Sequence, residues 1–204
     1  MGSFLTKNIM KIAIISDIHE NFYNLVSFYE KIEGMNIEHI LCLWDLMNNG
    51  IAKTLAYSGI PVQMIWWNND GSKVAIIKTS LSENSQLSVW EETFDIFEIA
   101  WRKLFLTHYP VLARPMAKSW DFDAVFFGHT HSVFAEQVND SLLLNPGELS
   151  AHKTWTATFA IYDSDSNTAE IIELEDYQNM KFDKVSAYQK KIGIKSWNTK
   201  EYKL

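Results

Sequence analysis

The hydrophobic pattern divides the chain into two halves of different rhythm. In the first, short unbroken apolar runs alternate with stretches whose apolar residues recur at helical spacing. KIAIIS (11–16) predicts a strand, and in residues 21–32 Phe22, Leu25, Val26, Tyr29 and Ile32 share one face of a helix. HILCLW (39–44), a helix near residues 51–58 and PVQMIW (61–66) repeat the pattern. Two βα units and a third strand predict a parallel sheet covered by helices, an α/β class with α+β character.

After Gly71 the rhythm changes. FDIFEI (94–99) and RKLFLT (102–107) predict a hairpin, and DAVFFG (123–128) a buried strand. VFAEQV (133–138), SLLLN (141–145), ATFAIYD (157–163) and AEIIEL (169–174) predict further strands joined by turn residues. This half is expected to be mainly antiparallel, with the phenylalanines of FDIFEI and DAVFFG in the sheet core. Residues 175–204 are polar, with Tyr177, Met180, Val185, Tyr188 and Ile192 loosely spaced, and predict an outer helix or a frayed tail. MKIAIISDIHEN from Met10 reads as a complete start, so residues 1–9 are expected to be an N-terminal extension, 10–174 one domain and 175–204 a C-terminal extension.

A length of 204 residues suits one domain with a sizeable core, and 47% hydrophobic with 21% charged residues excludes disordered and fibrous classes. The formal charge of -7 argues against nucleic acid bound through a broad basic surface. Any phosphate chemistry must therefore be local. The lone cysteine, Cys42, lies in an apolar run and reads as a buried structural thiol. The N-terminal apolar run is broken at once by Asp17 and His19, so neither a signal peptide nor a membrane span is expected, and the chain reads as cytoplasmic.

The candidate chemistry gathers at strand ends. SDIHEN supplies Asp17 and His19, WDLMNNG Asp45, WNNDG Asn68, LTHYP His108, and FFGHTH His129 and His131. Each piece alone is weak, because a single histidine is more often a surface or satisfied core residue than a ligand. Two histidines directly after a buried strand are costly unless something coordinates them. In open α/β sheets, ligands sit beyond the carboxyl ends of the strands, so these positions are expected to converge. Seven ligands exceed the needs of one tetrahedral ion and predict two divalent cations, with Asp45 the natural bridge. The donor set has no thiolate and suits manganese, iron, zinc, cobalt or nickel, and suits calcium poorly. Two dications balanced by two aspartates and a bridging hydroxide leave a local charge of about +1, which would draw a phosphate ester for hydrolysis. His39 and His152 are left outside the ligand set, and Glu20 and Glu148 border it as supporting or solvated groups.

These blocks, DIH, WD, WNND, LTH, GHTH and NPGE in order, resemble those of the calcineurin-like metallophosphoesterases, especially their small prokaryotic phosphodiesterase branch, over residues 10–174. The resemblance implies a four-layer αββα sandwich, two facing β-sheets flanked by helices, with metals at one rim. It implies that Asp17, His19 and His131 bind one ion, that Asn68, His108 and His129 bind the other, and that Asp45 lies between them. Manganese is favoured, and the substrate is expected to be a small phosphate diester. Asn145 to Gly147 would shape the rim. Where the family often carries a proton-donating histidine this chain has Asn69, which weakens monoesterase and protein phosphatase readings. The alternative is a non-catalytic scaffold of the same fold, as in the retromer complex. That subunit lacks a ligand histidine, whereas all seven positions are present here.

The second departure from the family is a run of tryptophans. Trp44, Trp67, Trp101, Trp120 and Trp155 stand where the family carries glycine. The chain has 8 glycines in 204 residues, about 4% against a usual level of about 7%, and five more would bring it to about 6%. One cause would explain all five, a gene that uses UGA for glycine, written here in a code that reads UGA as tryptophan; the alternative is genuine aromatic residues lining a rim or core. Tryptophans physically present at sites needing positive φ would strain the chain, and those beside Asp45 and Asn68 would crowd the metals.

Overall fold

The structure is a computed structural model that describes residues 9–43, 45–66, 71–90, 92–174 and 182–194. Trp44, Trp67, Asn68, Asn69 and most of residues 175–204 therefore lie outside the described residues.

The first half is built as its periodicity predicts. Strand β1 (Lys11–Ile15) leads into helix α1 (Phe22–Ile32), β2 (Ile37–Cys42), α2 (Asn49–Ala56) and β3 (Val62–Met64). Side chains cap both helices: the Asn21 side chain accepts from the Asn24 N–H, and that of Asn48 from the N–H groups of Gly50 and Ile51. The apolar residues of α1 turn inward, with Leu25, Val26 and Phe28 buried. Two elements the pattern did not reveal follow, α3 (Lys73–Ser80) and β4 (Leu87–Val89). Both are short, and α3 buries only Ile76 and Thr79, so its sequence carries little helical periodicity.

The second half holds β5 (Phe94–Ile99), β6 (Arg102–Thr107), α4 (Pro110–Lys118), β7 (Ala124–Phe127), β8 (Val133–Val138), β9 (Ser141–Pro146), β10 (Thr158–Asp163), β11 (Thr168–Glu173) and α5 (Phe182–Lys191). Its strands do not form one antiparallel sheet. β10 and β11 cross back to make a six-stranded sheet, β11-β10-β1-β2-β3-β4, and the others form a five-stranded sheet, β5-β6-β7-β9-β8. In that second sheet β6, β7 and β9 run parallel, with antiparallel β5 and β8 at its edges. The mainly antiparallel character expected of this half is seen in β5–β6, β8–β9, β10–β11 and β1–β10; the parallel β6–β7 pair was not foreseen, because its crossover helix α4 begins on Pro110 and contains Pro115, which disguise it.

The sheets face one another, with helices outside. Leu104 and Leu106 of β6, and Ala124 and Phe126 of β7, join the core shared with β1, β2 and β10. The alternate residues Phe105, Val125 and Phe127 pack against Ala113 and Ala117 of α4. Phe94 departs from its expected core position. It is exposed, because β5 is an edge strand. Helix α5 lies against α1, with Tyr188 stacked on Tyr29 and Lys184 paired with Glu30, so the described part of the C-terminal segment is an outer helix.

Backbone angles separate the tryptophans. Trp101, Trp120 and Trp155 have φ of 58°, 68° and 62°, whereas Trp66 and Trp90 are not among the positive-φ residues. Ala100 and Trp101 form the two-residue link of the β5–β6 hairpin, both left-handed as a type I′ turn requires. Trp120 follows the α4 C-cap Ser119, where helices commonly end on a left-handed glycine.

Candidate metal centre

The loops after β1, β2, β6 and β7 meet at one rim, as expected of strands whose carboxyl ends share an edge. The His19 N–H donates to the Asp45 carbonyl at 2.9 Å, tying the first loop to the second. The His129 N–H donates to Asp17 Oδ2 at 3.1 Å, tying the first to the loop after β7. The backbone is strained throughout: Asp17, His19, Asp45, His129 and His131 all have positive φ, between 42° and 71°. Such conformations cost roughly 1–3 kcal/mol each and persist where the surroundings over-determine them.

Gly128 permits this meeting. A Cβ there would lie 2.1 Å from Ser16 Oγ and 3.1 Å from both Asp17 Oδ2 and His108 Nδ1. Asn145 secures the loop from below, donating to the Gly128 carbonyl at 3.1 Å and to Thr130 Oγ1 at 2.9 Å. Its own Oδ1 accepts from the Gly147 N–H. The Asn-Pro-Gly turn thus shapes the rim without entering the centre.

Three imidazoles converge with two carboxylates. His131 Nε2 lies 3.3 Å from Asp17 Oδ1, and His19 Nε2 lies 3.4 Å from His131 Nε2 and 3.6 Å from Asp45 Oδ2. His108 Nε2 is 3.8 Å from the same Asp45 oxygen, which therefore stands between His19 and His108. The ligand atoms form two tight groups, Asp17 with His19 and His131, and Asp17 with Asp45 and His108. The first is the expected trio. In the second, Asp17 and Asp45 accompany His108, while His129 is exposed and meets the His108 ring edge-on at 5.0 Å between centroids. The expected ligand Asn68 lies outside the described residues.

Each converging ring is anchored through its other nitrogen. His108 Nδ1 is 3.0 Å from the Leu43 carbonyl, His131 Nδ1 is 2.6 Å from Glu148 Oε2, and His19 Nδ1 is 3.3 Å from Met47 Sδ. With Nδ1–H donated outward, every Nε2 lone pair faces the carboxylates, the arrangement by which proteins prepare histidines for metals. Burial pushes the His108 pKa down to about 4, so the ring is neutral, as a ligand must be. Burial also opposes charge on Asp17, yet His19, His108, Ser16 and His131 hold its carboxyl below the ordinary range. Burial and then the neighbouring Asp17 push Asp45 up, and the Asp17 carboxylate raises His19. One buried oxygen of each aspartate, Asp17 Oδ1 and Asp45 Oδ1, has no hydrogen-bond partner among the described residues. Two buried carboxylates, each with one orphaned oxygen and with imidazole nitrogens 3.3 to 3.8 Å from Asp17 Oδ1 and Asp45 Oδ2, fit divalent cations and fit little else.

Several contributors escape sequence reasoning. Glu148, left open by its place beside the Asn-Pro-Gly turn as a supporting or a solvated group, is fully buried. Met47 and the Leu43 carbonyl carried none. His39, outside the expected ligand set, lies within β2, half-buried against Phe97. His152 does reach the rim, exposed, with its ring 6.1 Å from that of His19.

The profile of the calcineurin-like phosphoesterase superfamily domain matches residues 10–167. Over 168 residues the chain is 29% identical to phosphodiesterase MJ0936 of Methanocaldococcus jannaschii, covering 81% of this chain and 100% of that protein. A solved archaeal phosphodiesterase superposes with a TM-score of 0.74 at 28% identity, over 81% of this chain and 100% of its own. Two more distant structures share the fold alone. Yfce, a phosphoesterase from E. coli, has a TM-score of 0.56 at 18% identity, over 81% of this chain and 100% of its own. Vacuolar Protein Sorting 29 from Cryptosporidium parvum has 0.53 at 16%, over 81% and 96%.

Proposed function

The chain belongs to the calcineurin-like phosphoesterase superfamily, and we propose that it is a metal-dependent phosphodiesterase acting on a small phosphate diester. One observation carries this reading: the carboxylates of Asp17 and Asp45, each with an orphaned buried oxygen, lie amid three imidazoles whose Nε2 atoms all turn inward. Asp17, His19 and His131 would hold one divalent cation. Asp45, His108 and His129 would hold a second, with Asn68 completing the set. Bound there, the cations would supply the positive charge and the acidified water on which phosphoryl hydrolysis depends. The chain's own work is preparation. Outward hydrogen bonds fix the ring tautomers, Ser16 holds the Asp17 carboxylate at 2.7 Å, and strained loops keep the ligands at the rim where an ester can reach them. The similarity to the archaeal phosphodiesterases favours a diester over a monoester, in keeping with Asn69 at the family's donor position.

Hydrolysis of bis-p-nitrophenyl phosphate against p-nitrophenyl phosphate, with manganese, zinc or EDTA, tests the proposal. Faster turnover of the diester, abolished by EDTA and by Asp45→Asn, is expected. Equal turnover with EDTA present would refute a metal mechanism. A well-folded, metal-loaded chain that leaves both esters intact would favour the scaffold.

A further inference from the structure

Glu148 is not a ligand in the proposed centre, yet its carboxylate gathers six donors. Oε2 accepts from His131 Nδ1 at 2.6 Å, from Ser150 Oγ at 2.5 Å and from the His152 N–H at 2.9 Å. Oε1 accepts from the N–H groups of Lys153 and Thr154 at 2.8 and 2.6 Å, and from Thr154 Oγ1 at 2.8 Å. The residue is fully buried, and among the described residues no lysine or arginine pairs with it. An acceptor-only group is what six converging donors require, and a neutral side chain of the same size would bring a donor of its own. Burial alone would push this carboxyl up, but the bonds from His131, Ser150 and Thr154 outweigh it and hold the group ionised.

Resting on the phosphoesterase reading, we propose that Glu148 is a positioning residue of the metal centre. It fixes His131 in the tautomer and direction that turn Nε2 toward Asp17. Through the same carboxylate it ties that ligand to the rim loop 150–154, which carries His152 beside His19. The loop needs only its own N–H groups satisfied, which any acceptor could do. The Nδ1 contact adds something more, because a carboxylate behind a ligand histidine makes the ring a better donor to a cation.

Two substitutions in the full chain separate positioning from structural support. Glu148→Gln keeps one acceptor but places an amide N–H₂ among donors, and Mn²⁺ affinity measured by calorimetry is expected to fall about 10–100-fold. Thr154→Val removes a donor from the loop side only. With the His131 Nδ1 contact intact, it is expected to lower the melting temperature while reducing Mn²⁺ affinity by at most about 3-fold, far less than Glu148→Gln. The second readout needs no variant: nitrogen–proton NMR of His131 in the metal-free chain at alkaline pH should show the Nδ1–H tautomer. Unchanged Mn²⁺ binding by Glu148→Gln, or an Nε2–H tautomer in the unaltered chain, would overturn the proposal. A chain that takes up Mn²⁺ but cleaves neither ester would count against the activity and not against Glu148, since both readouts would still decide its role.

Discussion

Replacing Trp101, Trp120 and Trp155 together by glycine should stabilise this protein. All three are held at positive φ, where a side chain costs about 1–2 kcal/mol. Glycine removes that cost but loosens the unfolded chain, which returns about 0.4–1 kcal/mol. The net gain is about 0.8 kcal/mol per site and about 2.5 kcal/mol for the three, taking the midpoints of those ranges. That figure is an upper bound: Trp120 and Trp155, 69% and 72% exposed, forfeit the least burial, whereas Trp101, only 41% exposed, forfeits burial that offsets its share of the gain. At about 2–4 °C per kcal/mol for a chain of this size, the melting temperature should rise by up to about 5–10 °C, measured by calorimetry or circular dichroism with EDTA present. Trp66, buried and without positive φ, is the control: Trp66→Gly should cost about 3–5 kcal/mol. A triple variant that melts at or below the parent temperature would refute the strain reasoning. The gene gives an independent check, since UGA is expected at codons 44, 67, 101, 120 and 155 and UGG at 66 and 90. UGG at all seven would end the recoding account.

Gly128→Ala should destabilise the chain by about 1–3 kcal/mol in a denaturant titration, since its Cβ would collide with the Ser16 hydroxyl that holds Asp17; an unchanged midpoint would show that the loop has room. Metal-free Asp45→Asn should be more stable than the parent by about 0.5–2 kcal/mol, because burial and Asp17 disfavour the Asp45 charge, and a lower melting temperature in EDTA would contradict this. His108 is neutral in the fold down to about pH 4 but takes up a proton near its ordinary value of 6.5 when unfolded. The unfolded state therefore binds more protons in that window, and metal-free stability should fall as pH drops from about 6.5 to 4, by up to about 3 kcal/mol. His19, whose pKa is raised, acts with the opposite sign and above 6.5, so it does not mask the effect. His108→Asn should flatten the decline, and an equal decline in that variant would assign it elsewhere.

Much of this was legible because each ligand block follows a run of mostly buried apolar residues. Asp17, Asp45, His108 and His131 are placed by strand ends, and strand ends are what periodicity detects best. The sheet partnership of β10 and β11 was not legible, because alternation marks a strand and says nothing about which edge it joins. Helix α4 was hidden by Pro110 and Pro115, and α3 by its lack of an apolar face. The burial of Glu148 was hidden for another reason: a buried carboxylate is recognisable only by its donors, and five of its six are backbone or hydroxyl groups of the next few residues. Glycine-like positions were expected for Trp101, Trp120 and Trp155 from the sequence, and their positive φ values accord with that expectation.

Anomalous diffraction from crystals grown with Mn²⁺ tests the central claim most directly. Two maxima are expected at the rim, one among Asp17, His19 and His131 and the other beside Asp45 and His108. Maxima elsewhere, or none while Asp17 and Asp45 keep their orphaned oxygens, would contradict it.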